Sequence, residues 1–249
     1  VKKGLLSIIL FFFIFSASAQ VVNVESKRFL NDTNGFVGKI DFNFQITQNT
    51  EQIINFGNNV HLQYQKDRSR FLLLNDINFV KAGPTNFVNA GFQHFRYNYK
   101  VKNRLTWEAF IQSQYNPILR LDLRLLAGTG PRLKIVKNKT IRLYFATLYM
   151  YEHERISGET NQYNTHRLSS YVTFSLSIGE NADFTSTTFY QPNVQNFNDY
   201  RIANDSSFEL VISKKLNFRT GFNLLYDTRQ PSGIPNLVYS LRNGLSYKF

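Results

Sequence analysis

The 249-residue chain has no cysteine, one methionine, one tryptophan and four histidines. Without cysteine there is no disulfide framework and no thiolate zinc or iron–sulfur centre. Acidic residues are also scarce, 17 Asp and Glu against 29 Lys and Arg, which leaves a formal charge of +12. Long apolar runs are missing beyond the N-terminus, and a mean hydropathy of −0.30 excludes a bundle of membrane helices. No Gly-x-Ser-x-Gly elbow, phosphate loop, His-Glu-x-x-His helix or Asp-rich calcium loop occurs. Aromatic residues are plentiful instead. The 24 Phe and 14 Tyr suit strands and membrane interfaces better than helices.

The one long apolar run reads as an export signal. Lys2 and Lys3 precede Leu5 to Phe15, interrupted only by Ser7, and Ser16-Ala17-Ser18-Ala19-Gln20 follows. Small residues at −3 and −1, Ala17 and Ala19, predict cleavage before Gln20. The competing reading, a membrane anchor, needs about 20 apolar residues, more than the run supplies. The expected organisation is a signal peptide over 1–19, an N-terminal extension over 20–35, and one domain over 36–249. The extension fits either a plug in the domain or a periplasmic tail. An exported chain does not meet nucleic acid, so the basic charge is not read as a nucleic-acid footprint.

Past the signal the chain alternates. Phe36, Gly38, Ile40, Phe42, Phe44 and Ile46 oppose Val37, Lys39, Asp41, Asn43, Gln45 and Thr47. Leu105, Trp107, Ala109 and Ile111 oppose Thr106, Glu108 and Gln112, and Leu168, Val172, Phe174 and Leu176 oppose Arg167, Ser169, Thr173 and Ser175. Twelve such segments begin near residues 36, 52, 70, 87, 104, 119, 140, 165, 182, 199, 216 and 237. Segments of about ten alternating residues are the signature of a membrane β-barrel, the one fold that crosses lipid without apolar helices. The expected fold is therefore all-β: a single transmembrane antiparallel up-and-down β-barrel of about twelve strands, in the bacterial outer membrane. Near Phe92 the apolar parity changes, which predicts a bulge or a shifted register.

An even strand number places both termini and the short turns in the periplasm. The short connections, 65–70, 100–104, 136–140, 178–182 and 213–217, hold Lys66, Arg68, Arg70, Lys100, Lys102, Arg104, Lys137, Lys139, Lys214 and Lys215 against Asp67 and Glu180. This basic ring suits anionic headgroups of the inner leaflet; hydrated turn residues are the plainer alternative. The opposite connections hold Lys81, Arg155 and Arg229 against Glu51, Glu159, Asp199 and Asp227.

The polar face predicts a charged lumen formed by Lys39, Asp41, Glu108, Arg120, Asp122, Arg124, Arg132, Arg142, Glu152 and Arg167. Asp76, Lys134, Arg201, Asp205, Glu209 and Arg219 share it. Both signs on one narrow wall predict a salt-bridged interior with little free cross-section, since wide channels use 16 or more strands. His61 and His94 fall within strands as hydrogen-bonded lumen residues. A symmetric hairpin about 155–165 would oppose His153 to His166 on the outer surface and Glu152 to Arg167 inside. Two imidazoles near carboxylates suit a metal or acid–base pair, but plain cross-strand contacts are the commoner use of such pairs. No cofactor, metal or catalytic residue is assigned.

The chain closes with Tyr239, Leu241, Leu245, Tyr247 and Phe249 on one face. This resembles the C-terminal strand by which outer-membrane proteins are recognised by their assembly machinery. Further likeness lies in Phe95-Arg96-Tyr97-Asn98-Tyr99, in Trp107-Glu108-Ala109-Phe110 with Gln112 and Gln114, and in Leu121-Asp122-Leu123-Arg124-Leu125-Leu126-Ala127-Gly128-Thr129-Gly130-Pro131-Arg132. Together with the ending Tyr239 to Phe249, these stretches resemble a bacterial family called salt-induced outer-membrane proteins, a domain family of unknown function. The resemblance implies fold and location and carries over no functional residue. The expected partners are outer-membrane lipids and the assembly machinery, with the chain a monomer. Three functions remain open: a non-enzymatic barrel with an occluded or narrow lumen and a structural or envelope-stress role, an anion-biased small-solute channel, or a lipid-modifying enzyme.

Overall fold

The computed structural model describes residue 24 and residues 34–48, 52–82, 85–179 and 181–247. The expected signal residues, Ala17, Ala19 and Gln20 included, lie outside the described residues, as does Phe249. Twelve antiparallel strands follow one another in sequence order. They are β1 (Gly35–Gln48), β2 (Gln52–Lys66), β3 (Ser69–Ala82), β4 (Thr85–Lys100), β5 (Leu105–Asn116), β6 (Leu121–Lys137), β7 (Ile141–Ile156), β8 (Gln162–Ile178), β9 (Ala182–Pro192), β10 (Tyr200–Val211), β11 (Leu216–Asp227) and β12 (Leu237–Tyr247). Each begins within three residues of the expected position. The shortest, with 11 residues, matches the roughly 9–11 that a tilted strand needs to cross lipid.

The sheet curls into a barrel, because inward residues of strands far apart in sequence meet. Phe110 of β5, Leu148 and Met150 of β7, Tyr171 of β8, Phe189 of β9, Ala203 of β10 and Leu225 of β11 form one buried cluster. Gly130 of β6 lies where a Cβ would strike the Thr147 carbonyl and Leu148 Cα, so only glycine permits this approach of β6 to β7. Among the described residues no ladder joins β1 to β12, and both end strands are largely exposed on both faces.

The outer wall is apolar at mid-height, with Ile40 65% and Ile111 61% exposed. Aromatic rings gather at its two rims. At the short-connection end, ring contacts run from Phe36 to Tyr64, Phe71 and Tyr97. At the other end Tyr190, Tyr200 and Tyr226 form a second row, and Tyr149 stacks on His166. An apolar band between aromatic rims matches a bilayer and its two interfaces. Tyr239, Leu241, Leu245 and Tyr247 all lie on this outer wall, exposed.

Several expectations need correction. Between Leu121 and Leu123 the β6–β7 register shifts, so β6 carries an extra residue; Leu121 turns inward and Asp122 is exposed rather than lining the lumen. Arg120 precedes β6, in left-handed backbone (φ 55°) after the 3-10 turn Pro117–Leu119. It donates to the Ser157 and Ser232 carbonyls, each at 2.7 Å, and so fastens three connections at the mouth instead of lining the lumen. The β7–β8 hairpin is two residues tighter than symmetric pairing about 155–165 implies: Glu152 faces Thr165, His153 faces Asn164 and His166 faces Tyr151. A two-residue slip preserves which face each side chain takes and changes only its partners. The irregularity expected near Phe92 lies a few residues earlier on β4, where the β3–β4 register shifts between Val80 and Lys81, opposite Val88 and Asn86; Phe92 itself is buried inside against Leu72 and Leu74.

Ile111→Arg, at mid-height of the outer wall, should cost about 2–4 kcal/mol if lipid covers it. Urea unfolding in lipid vesicles measures this; a cost near zero would mean that water covers that face.

Candidate functional site

The interior is layered along the barrel axis. Along β7 the inward residues are, in order, Arg142, Tyr144, Ala146, Leu148, Met150, Glu152, Glu154 and Ile156. They lead from the short-connection end, through an apolar waist, to an ionic layer below the long connections.

In the ionic layer the Glu152 carboxylate accepts from Arg167 Nε at 2.6 Å and from Arg201 Nη1, with Arg124 Nε at 3.2 Å. Glu154 pairs with Arg124 and, at 3.0 Å, with Arg201 Nη2, while Arg201 Nε also reaches Asp227 at 2.5 Å. Arg167 Nη2 reaches Asp199 at 2.9 Å, and Arg229 joins Asp199 at 3.3 Å. Four carboxylates from β7, the β9–β10 connection and the end of β11 meet four arginines from β6, β8, β10 and the β11–β12 connection. Arg124 and Arg167 each bridge two acids and Arg201 bridges three, which Lys could not do with equal geometry. At the mouth above lies a cavity of about 210 Å³, lined by Glu154, Glu159, Tyr163, Arg167, Asp199, Arg201 and Arg229 among others.

Below this layer the waist closes. A space of about 30 Å³ there is lined by Phe110, Leu126, Leu148, Met150, Tyr171 and Phe189 together with polar groups of the layers above and below. Such a void holds little more than one water molecule. Val24 packs into the same interior, against Leu72, Leu74 and Phe92.

Beneath the waist, fully buried Glu108 accepts from Arg96 Nη1 at 3.2 Å and from Tyr171 OH at 2.7 Å, with Arg132 Nε at 3.8 Å. His94 Nδ1 lies 2.8 Å from Gln112 Oε1, and Arg96 Nε donates to His94 Nε2 at 3.2 Å. Past Glu108 a cavity of about 320 Å³ opens at the short-connection end, lined among the described residues by Arg68, Arg70, Lys100, Arg132, Lys134 and Lys137, with Asp67 as the one acid among them.

A family described as "Protein of unknown function, DUF481" matches residues 40–249. The chain belongs to this family. No curated protein matches the chain. Among solved structures it is similar to the NanC porin, at 14% identity over 78% of this chain and 94% of that chain, with a TM-score of 0.47. It is also similar to the KdgM porin in complex with disordered oligogalacturonate, at 12% identity over 86% and 99%, with a TM-score of 0.45.

In this DUF481 chain, Arg124, Glu152, Arg167 and Arg201 come together in the ionic layer, and Glu108 and Arg132 below the waist. Arg142 is half-buried on the inward face. Lys39 and Asp41 share the face of His61 and Asn59 but stay exposed on the end strand, paired with each other at 2.6 Å. Arg219 and Glu209 likewise pair at 2.9 Å in an exposed stretch. His153 and His166 point outward, His153 Nδ1 to Asn164 Oδ1 at 2.8 Å and His166 Nδ1 to Tyr149 OH at 2.7 Å, with no carboxylate in the set. Among the described residues no group of three or more His, Asp and Glu is placed to hold a metal. Arg96 and the waist residues are the functional positions the sequence did not reveal. Arg96 lay in the segment of confused parity, and Phe110, Leu148 and Met150 are apolar on a face expected to be polar.

Removing one partner from a buried ionic cluster leaves the others uncompensated, so Glu152→Gln should cost about 3–5 kcal/mol, seen as a lower urea midpoint in micelles. A loss below about 1 kcal/mol would mean that water reaches and screens the layer. Asp199, in the β9–β10 connection, gives a pH signature. Burial raises its pKa, but the Asn193 hydrogen bond and the Arg167 charge outweigh burial and hold the carboxyl below its ordinary value. A depressed folded pKa contributes stability above the unfolded value of about 3.9, and that contribution disappears as pH falls through the folded value. The stability gap between the native chain and Asp199→Asn should therefore be constant at neutral pH and shrink below about pH 4; a gap independent of pH would contradict this.

Proposed function

We propose that this chain is a non-enzymatic outer-membrane barrel, closed across its waist at rest, with a structural role in the envelope. The waist carries the reading: an apolar cluster from β5 and β7–β11, capped by an ionic layer, lines a space of about 30 Å³. The apolar wall between aromatic rims supports a membrane location, and the exposed alternation of β12 supports recognition by the outer-membrane assembly machinery. Lipids are the partners of the outer wall, and the barrel functions as a monomer. The outward setting of His153 and His166, each bonded to a neutral side chain, speaks against a lipid-modifying centre there. A second reading, a narrow anion-biased path, draws support from the difference between the two vestibules, one nearly neutral and one basic.

Planar-bilayer recording on refolded protein tests the closed waist, with a heat-shifted gel band as proof of folding. The native chain should be silent, and Leu148→Ala with Met150→Ala should give discrete openings. Steady openings of the native chain would overturn the closed waist, and an anion bias in them would establish the second reading.

A further inference from the structure

We infer that the β11–β12 connection, residues 228–236, is a lid across the long-connection mouth, latched by Arg120. In the sheet β6 and β11 stand five strands apart, roughly 24 Å along the wall at the usual spacing of about 4.8 Å. That is far beyond the reach of one side chain. Yet Arg120, just before β6, donates from Nη1 to the Ser232 carbonyl at 2.7 Å. The connection therefore leans over the opening toward the far wall instead of standing above its own strands. It meets the other long connections as well. Arg229 Nη1 reaches Asp199 of the β9–β10 connection at 3.3 Å, and the guanidinium carbon lies 5.9 Å from the Tyr163 ring centroid at the start of β8. The mouth cavity of about 210 Å³ has Arg229, Gln230, Pro231 and Ser232 in its wall, alongside Glu154 and Arg201 of the ionic layer.

The latch is seated before it meets the lid. Arg120 is left-handed at φ 55°, a conformation that is costly for a residue with a Cβ and persists where the surroundings hold it. Its carbonyl accepts from Ser157 N, and its Nη2 donates to Ser157 O, each at 2.7 Å. Gly158 leaves room for the guanidinium: a Cβ there would come within 2.9 Å of Arg120 Nη2. With backbone and Nη2 fixed to the β7–β8 connection, Nη1 is presented to Ser232. The lid itself is built to move as one piece. Asp227 N donates to Asn236 O at 2.9 Å and Thr228 N to Tyr200 O at 3.2 Å, which pins the base. Pro231 and Pro235 stiffen the backbone beyond, and Ile234 N closes a turn onto Pro231 O at 3.0 Å. Ser232 and Gly233 at the tip are exposed. Among the described residues, the polar ties of the lid to the far connections are those of Arg120 and Arg229. A stiff segment with a pinned base and so few ties at its tip swings about the residues next to the base, as hinged loops do.

The lid lies above the waist and goes beyond the closed-barrel reading, since access to the mouth can be read whether or not the waist conducts. The test places a single cysteine at Thr165, in the cavity wall, and challenges it in vesicles from the long-connection side with a membrane-impermeant maleimide. Thr165→Cys in the otherwise native chain should react slowly. Adding Arg120→Ala should raise the rate by about tenfold or more, as expected for the loss of one charged hydrogen bond. Arg120 is not among the residues lining that cavity, so its truncation opens no direct path. Lys214→Ala with Lys215→Ala, at the opposite end of the barrel, should leave the rate within about twofold, since distant exposed charges are screened. A second measurement serves if Arg120→Ala loses the heat-shifted band. A nitroxide on Ser232→Cys in the otherwise native chain should give a slow-motion spectrum, and Gly158→Ala, whose Cβ crowds Arg120 Nη2, should sharpen it. Rapid reaction of Thr165→Cys in the native background, a rate unchanged by Arg120→Ala, or a freely tumbling nitroxide on Ser232→Cys in the native background would overturn the lid.

Discussion

A strand that crosses lipid must send every second side chain into the hydrocarbon, and every other one into a space only twelve strands wide. Polar side chains can go nowhere but inward, where low dielectric makes an unmatched charge costly and a matched one strongly ordered. The rest of the interior follows from that constraint. Arg201 meets three carboxylates because β7, β10 and the end of β11 each deliver their charge to the same level of a narrow tube. The bridging arginines tie strands that no ladder connects, since β7 and β10 are three strands apart in the sheet. Such a cluster contributes little net stability against an apolar core of equal volume. Its effect is to fix which residues meet, and so the height at which the tube is closed.

The apolar waist depends on the same geometry. Met150 and Leu148 lie one and two inward steps below Glu152, and Phe110 lies one step above Glu108 on β5. Each ionic layer excludes water from one side of the cluster, and the cluster in turn dries the ion pairs. Charge is not evenly spread along the axis, however. Among the described residues the long-connection mouth is lined by acids and arginines alike, while the short-connection vestibule is lined by six bases and one acid. Part of the basic ring of turns faces the vestibule, as Arg68, Lys100 and Lys137 do, and part stays on the exposed rim, as Lys214 and Lys215 do.

Period-two alternation made the fold legible. Strands such as β2, β9, β11 and β12 start where polarity and turn residues place them. The face of Glu108, Arg124, Glu152 and Arg167 was legible for the same reason, because a face survives any even register error. Partners were not legible: the β7–β8 hairpin turns two residues earlier than symmetry suggests, so His153 and His166 never meet. Asp122 and Arg120 were misplaced because the bulge at Leu121 and the left-handed turn before it leave no mark on hydropathy. Asp199 and Asp227 read as surface acids of connections, yet both fold down into the ionic layer. Nor does alternation show that inward Phe110, Leu148 and Met150 converge, since convergence depends on barrel curvature rather than on any one strand.

The chain's lack of cysteine allows a direct measurement of the closed waist. Single cysteines introduced at Ala203 in the waist, at Lys134 in the basic vestibule and at Gln230 near the opposite mouth can be challenged in vesicles with a membrane-impermeant thiol reagent from each side. The account predicts that the Lys134 position reacts only from the short-connection side, the Gln230 position only from the other, and the Ala203 position from neither. Rapid labelling at Ala203, or labelling of the Lys134 position from both sides, would contradict it.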